Sequence, residues 1–309
     1  MKTKLIWPLA VTAIFAVLAI LFLRHHPAAL EPLADIRPSI LIWLVASRIL
    51  FLILNGLTLR DAASKFRVLL TPKEWIGLPF VTAMGNYVTP FSGGMLARAT
   101  YLKYRHRFPY ARFVSVLGVS LFILFWVAAL AGVIILIATP RGAGSHWEFK
   151  ALFAAITLGV STLLLLPTVR VPGTGRLSAA VNSSLEGWDA IKGDYRLLAR
   201  LALWALAGLL MNGISFWLAF TGLYGASVPV DGVFLVSLFS IFFIIVRITP
   251  SNLGVFEGAV MLGAGIAGIG AGAGLMASLL IRAASLIPIF TLGPIFSYVL
   301  TRELTGTKE

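Results

Sequence analysis

The sequence predicts an all-α polytopic membrane protein: six transmembrane helices plus two re-entrant helical hairpins, arranged as an inverted repeat. Three observations predict it. Of 309 residues, 59% are apolar and only 12% are Asp, Glu, Lys or Arg, about half the charge of an average soluble domain, and mean hydropathy is +0.94. Apolar runs long enough to cross a bilayer recur along the chain, separated by short charged stretches. Two further apolar regions are each broken in the middle by a Thr-Pro pair followed by Ser and Gly. This composition excludes an ordinary soluble enzyme and excludes disorder. Only short loops remain between the spans, so no extramembrane catalytic domain is expected.

The first span is Leu5–Leu23, after Lys2 and Lys4. It reads as an uncleaved helix, because no small-x-small site follows it and further spans do. The second is Ser39–Leu57, the third Arg112–Ala138, the fourth Ala151–Pro167, the fifth Leu197–Leu223 and the last Gly274–Leu300. The first broken region is Trp75–Tyr104, interrupted at Val88-Thr89-Pro90-Phe91-Ser92-Gly93-Gly94. The second is Val230–Ile269, interrupted at Ile248-Thr249-Pro250-Ser251-Asn252-Leu253-Gly254. Proline ends the preceding helix and suits the first turn of a new one, and the Thr before it is pushed to an extended conformation from which it can cap that helix. Both regions therefore read as hairpins that turn at depth and return to their own side. Between the fourth and fifth spans, Leu177, Val181, Leu185, Trp188 and Ile191 fall at helical spacing, which predicts an amphipathic strap at the interface. The glycines from Gly263 to Gly274 predict close helix packing at the exit of the second hairpin.

The two breaks are related. Thr89, Pro90, Gly94 and Ala99 match Thr249, Pro250, Gly254 and Ala259 at an offset of 160, and the flanking spans follow the same offset. The chain is expected to form one membrane domain over 1–309, with one repeat over about 1–140 and the other over about 150–303. Each repeat crosses an odd number of times, so the second is inverted, as in transporters whose broken helices meet near the midplane. Eight plain spans with chance Thr-Pro kinks is the competing reading. Charge weighs against it: with returning hairpins and a cytoplasmic amino terminus, eighteen of the 25 Lys and Arg residues lie inside and four outside. Such a bias is the expected positive-inside asymmetry, and it places both termini in the cytoplasm. It also accounts for the net charge of +13 without nucleic acid.

Catalytic constellations are missing from the sequence. There is no Cys, and the four histidines show no metal-ligand spacing. No enzyme activity, metal or cofactor is expected. What stands out is polarity at apolar depth. Arg48, Arg247 and Arg282 lie within apolar stretches, Glu257 follows the second break, and Asn55, Asn86, Asn212 and Asn252 add neutral groups. Such residues are costly in a membrane and face a polar cavity or one another; for Arg48 and Arg282, snorkelling or a structural pair is the plainer account. A helix that begins inside the membrane points free N–H groups at its own start. The turn residues Ser92, Gly93, Gly94, Ser251, Asn252 and Gly254 are expected to converge with Arg98, Arg247 and Arg282 on one phosphate-sized cavity. Glu257 is expected to approach Arg98 or Arg282 and to be the place for proton coupling.

The stretch Thr249-Pro250-Ser251-Asn252-Leu253-Gly254-Val255-Phe256-Glu257-Gly258-Ala259 resembles the Pro-x-x-x-Gly-Val-x-Glu signature of the lysylphosphatidylglycerol synthase transmembrane, or flippase-like, family. Asn86-Tyr87-Val88-Thr89-Pro90 through Gly94, Arg98 and Tyr101-Leu102-Lys103 resembles its first-repeat signature, and Arg282 matches an arginine of its last span. Two positions depart from the family pattern: Met95 stands where many members carry Glu, and Gly118, Val119 and Ser120 stand where many carry an acidic-Arg pair. The resemblance implies translocation of a lipid headgroup. Together with the anion-suited cavity, it points to an anionic phospholipid or a polyprenyl-linked lipid in the bacterial cytoplasmic membrane. The alternatives are a small-anion or small-solute secondary transporter, and a non-catalytic membrane partner of a lipid-modifying or glycosyl-transferring enzyme. Membrane lipids are the expected partners; the sequence sets no oligomeric state.

Overall fold

The computed structural model describes residues 36–89, 92–139, 147–172, 175–246 and 249–305. The expected span Leu5–Leu23, the proline Pro90, Arg247 and both termini lie outside the described residues. Ten α-helices make up the described chain, and no strand occurs among the described residues. They are α1 (Pro38–Ser64), α2 (Pro72–Val88), α3 (Gly93–His106), α4 (Tyr110–Ala138), α5 (Trp147–Leu165), α6 (Arg176–Lys192), α7 (Tyr195–Tyr224), α8 (Val230–Ile241), α9 (Val255–Ile266) and α10 (Ala271–Thr305).

Five helices, α1, α4, α5, α7 and α10, are long and apolar enough to cross a membrane. They coincide with the second to sixth expected spans. Helix α1 runs past the expected Leu57 to Ser64 because its end is held by polar contacts. The buried Asp61 accepts hydrogen bonds from Arg60 Nε and Trp204 Nε1, both at 2.9 Å. Helix α4 starts after Pro109, whose fixed φ and missing N–H suit a helix start. Asp194 caps α7 by accepting the Leu197 N–H at 3.1 Å. Helix α10 continues through Pro288 and Pro294.

Both broken regions form antiparallel helical hairpins. In the first, α2 and α3 lie so close that a Cβ added to Gly85 would stand 2.7 Å from Gly94 Cα. Thr82 meets Arg98, and Glu74 meets Tyr101 and His106 at the open end. In the second, α8 continues as a 3-10 turn over Phe242–Ile245 and pairs with α9, with Gly263 against Val236 and Phe239.

The turns differ from expectation in one respect. Neither Thr-Pro site opens an α-helix: Thr89 is the C-cap of α2, whereas Thr249, extended as expected, caps a single 3-10 turn over Pro250–Asn252. Thr89 donates its hydroxyl proton back to the Gly85 carbonyl, and Thr249 donates to the Leu253 carbonyl. The new helices begin later, at Gly93 and Val255, because reversing the chain takes left-handed residues first: Ser92 (φ 59°), then Ser251 (φ 48°) and Asn252 (φ 56°) with Gly254 (φ 85°).

Around the hairpins, α1 packs along α7, and α10 packs on α1, α2, α7 and α9. Helix α5 rests on α4, where the Phe153 ring fills the notch left by Gly132. The expected strap corresponds to α6. It is seated on α4 by a polar and small-residue contact, since Ser115 donates to the Ser184 carbonyl at 2.7 Å beneath Gly187. Trp188 adds an edge contact with Phe122. Gly274 fits against Ala264 and the Val260 carbonyl, as the glycine run predicts.

The open end of the first hairpin is closed by Glu74, which is fully buried. Its carboxylate accepts from His106 Nε2 at 2.7 Å, from the Thr71 N–H at 2.8 Å and from the Tyr101 hydroxyl at 2.9 Å. Burial alone pushes this carboxyl up, but the hydrogen bonds from His106, Thr71 and Tyr101 outweigh it and hold it at about 2, below its ordinary 4.5. A depressed carboxyl stabilises the fold above pH 4.5 and loses that contribution as pH falls toward 2. Glu74→Gln is expected to flatten acid unfolding in that window relative to wild type, read by tryptophan fluorescence in detergent. Identical acid profiles for the two proteins contradict the assignment.

Candidate functional site

The two turns, together with α1, α7 and α10, enclose a cavity of about 230 Å³. Its polar wall comprises Arg48, Asn86, Tyr87, Ser92, Asn212, Ser240, Thr249, Ser251, Asn252, Arg282 and Ser285. Phe51, Phe243, Ile244 and Phe256 supply the apolar part.

Arg282 enters from α10. Its Nε donates to the Glu257 carboxylate, and its Nη1 donates to the Ser251 carbonyl at 3.2 Å with the Tyr87 hydroxyl 3.5 Å away. The rings of Tyr87 and Phe256 lie 5.8 and 5.6 Å from its guanidinium carbon, within cation–π range. Glu257 is buried, and its other oxygen accepts the Gly254 N–H at 2.6 Å. One carboxylate thus serves the exposed first N–H of α9 and the charge of Arg282. Of the two partners expected for Glu257, the structure selects Arg282.

Arg48 enters from α1. Its Nε donates to Ser285 Oγ at 3.1 Å and its Nη1 to Asn212 Oδ1 at 3.0 Å, while Phe51 lies 4.7 Å below the guanidinium carbon. These acceptors are held in orientation by their own bonds. Ser285 gives its proton to the Ile281 carbonyl at 2.7 Å, so it presents a lone pair to Arg48. Asn212 donates its amide to Ser237 Oγ at 3.0 Å, which fixes the oxygen toward Arg48.

Arg98 is buried elsewhere. Its Nε donates to Thr82 Oγ1 at 2.8 Å and its Nη2 to Asn55 Oδ1 at 3.2 Å. It lines a second cavity, also about 230 Å³ and mainly apolar, walled by α1, α2, α4 and α7 with Asn55, Thr58, Ser120 and Trp204 as its polar groups. Phe51, Asn86, Ile241 and Ile244 border both cavities.

The expected convergence on one cavity is therefore corrected. Ser92, Ser251, Asn252 and Arg282 line the first cavity, and Arg98 lines the second. Gly93, Gly94, Gly254 and Glu257 line neither. Gly93 and Gly94 are small because a Cβ on them would fall 2.2 Å from Thr89 Oγ1 and 1.9 Å from the Thr82 carbonyl oxygen. Gly254 is required by its left-handed backbone. Arg247 lies outside the described residues. Arg48, Asn86 and Asn212 join the first cavity although the sequence gives them no site role beyond polarity at depth.

Long apolar helices with arginines and asparagines gathered inside them define an integral membrane protein with a polar interior cavity. The chain belongs to the lysylphosphatidylglycerol synthase transmembrane family: the family model described as "Lysylphosphatidylglycerol synthase TM region" matches residues 5–293. Comparison with curated proteins and with solved structures returned no match.

Proposed function

We propose that the protein is a lipid flippase or transporter. In this reading an anionic phospholipid or polyprenyl-linked lipid keeps its tails in the bilayer while its headgroup passes through the cavity between two re-entrant hairpins. The carrying observation is the first cavity itself, where two arginines from two long helices meet both hairpin turns. Arg48 lies ten residues into α1 and Arg282 eleven into α10, about 15 and 16 Å along their helices. With the start of each helix at the edge of a hydrocarbon core of about 30 Å, both arginines fall near its middle. A cost of about 2.5–3.5 kcal/mol per arginine at that depth argues for a polar cargo there.

The helix boundaries support the inverted repeat. Adding 160 to the limits of α1 gives 198–224, against Tyr195–Tyr224 for α7. For α3 it gives 253–266, against Val255–Ile266 for α9, and for α4 it gives 270–298, against Ala271–Thr305 for α10. Two copies of this unit in opposite orientation would offer the headgroup related surfaces from either leaflet. We place the protein in a bacterial cytoplasmic membrane with both termini inside, following the basic loops, and propose no catalytic step. Those loops are also where a lipid-modifying partner enzyme would dock.

The chain has no Cys, which permits a direct test. Ser92→Cys places a single thiol on the cavity wall. In liposomes carrying a fluorescent anionic phospholipid, unlabelled Ser92→Cys protein is expected to translocate the lipid, and labelling with a bulky maleimide is expected to stop it. Lys150→Gln, at an exposed position, should behave as wild type. Equal translocation by blocked and unblocked protein overturns the route.

A further inference from the structure

We infer that the first cavity selects a headgroup carrying a single negative charge, a phosphodiester, and that Arg48 rather than Arg282 binds it. The inference rests on the proposed headgroup passage and names what that passage recognises.

The two guanidinium groups of the cavity are not equivalent. The charge of Arg282 is balanced by Glu257, its Nε and Nη1 are occupied, and two aromatic rings cover it. Arg48 has neutral partners only: Ser285 Oγ, Asn212 Oδ1 and the Phe51 ring. Neither arginine's Nη2 donates to a protein acceptor among the described residues, so the two differ in charge balance and not in spare donors. Among those residues the cavity wall and its paired Glu257 therefore carry one net positive charge.

The Arg48 fork is also held in place. Ser285 and Asn212 are each locked by a second hydrogen bond, so the guanidinium plane is set before any ligand arrives. A planar fork with donors to spare matches the two non-bridging oxygens of a phosphodiester. One such anion balances Arg48. A phosphomonoester dianion or a pyrophosphate brings more negative charge than Arg48 alone balances, and unbalanced charge is costly at low dielectric. The volume of about 230 Å³ is below the roughly 300–1,000 Å³ of pockets for drug-sized ligands. The space suits a compact headgroup.

The recognised chemistry is shared by a lipid headgroup and by a free phosphodiester, so the test carries both. Binding to the full chain in detergent is measured for short-chain phosphatidylglycerol, phosphatidylcholine and, at pH 9, phosphatidic acid, alongside water-soluble glycerophosphoglycerol. Wild type is expected to prefer phosphatidylglycerol by roughly ten- to a hundredfold over the other two lipids, because choline brings a second cation beside Arg48 and phosphatidic acid a second negative charge that Arg48 does not balance. Arg48→Gln should erase the preference over phosphatidylcholine. Asn212→Asp provides a second variant that keeps Arg48 in place but gives it a carboxylate neighbour; it should erase the preference too, with the thermal unfolding of the protein as the check on folding. Survival of the preference in both variants, or a wild type that favours phosphatidic acid, overturns the inference. Liposomes separate it from the broader reading. Translocation with unchanged lipid preference in Arg48→Gln sinks the Arg48 assignment alone. Tight glycerophosphoglycerol binding without lipid translocation sinks the flippase reading and leaves the Arg48 site standing.

Discussion

Arg282→Gln is expected to destabilise the protein by about 3–5 kcal/mol, the usual cost of leaving one member of a buried ion pair alone. Glu257 is buried, and among the described residues its one cationic partner is Arg282. Without it the carboxylate keeps only the Gly254 N–H. The reverse change, Glu257→Gln, leaves Arg282 with the Ser251 carbonyl, the Tyr87 hydroxyl and two rings, and should cost a similar amount. The double variant Glu257→Gln/Arg282→Gln pairs two neutral amides. It should recover much of the loss, with a coupling of about 2–3 kcal/mol. Chemical unfolding in detergent measures all three. If the single losses simply add in the double variant, the pair does not hold the hairpin. Arg282 also fixes the Ser251 carbonyl in the turn, so translocation should fall with Arg282→Gln through displaced turn residues as well as through lost charge.

Gly94→Val is expected to be the most damaging single change in the first hairpin, on the order of 4 kcal/mol or more. A Cβ at Gly94 would lie 1.9 Å from the Thr82 carbonyl oxygen and 2.8 Å from the backbone nitrogen and Oδ1 of Asn86. These are mainly backbone atoms of α2, so no rotamer change relieves the clash. The arms must part, which also breaks the Arg98–Thr82 bond and moves Asn86 in the wall between the cavities. Gly118→Ala is the control. It lies within α4 with nothing within 4 Å of the added carbon, and should stabilise by up to about 1 kcal/mol through helix propensity. Yield of folded monodisperse protein and thermal unfolding read both. A Gly94→Val protein as stable as wild type means that the arms are not in close contact.

Long-range pairing separates what was legible in the sequence from what was not. The five long helices follow from hydropathy alone, since length and apolarity are local properties. The two interruptions were visible as Thr-Pro pairs, but the sites where α3 and α9 restart were not, because they depend on left-handed Ser and Asn residues that carry no strong local signal. Glu257 was readable as needing Arg98 or Arg282, because a carboxylate and a guanidinium at depth need each other, but the choice between the two was not. Arg48 was not readable as a cavity residue. Its acceptors, Asn212 and Ser285, stand 164 and 237 positions away, and neutral side chains announce no partner. Arg98 misled for the opposite reason. Its closeness in sequence to the first turn suggested the first cavity, yet four residues of helix carry it from Gly94 toward Asn55 and the second.

The order in which these partners are synthesised differs between the hairpins. Arg98 finds Thr82 and Asn55 already made, so the first hairpin can satisfy its arginine as soon as it leaves the ribosome. Glu257 must wait for Arg282, 25 residues later, and Arg48 waits longer still for Asn212 and Ser285. Helices α8 and α9, of twelve residues each, reach only about 18 Å and cannot be retained in a bilayer of about 30 Å singly. Biogenesis of the second half is therefore a closing step. Helix α10 follows every other described helix and delivers the charge that Glu257 lacks and the oxygen that Arg48 lacks, so the cavity comes into existence only once α10 has been made.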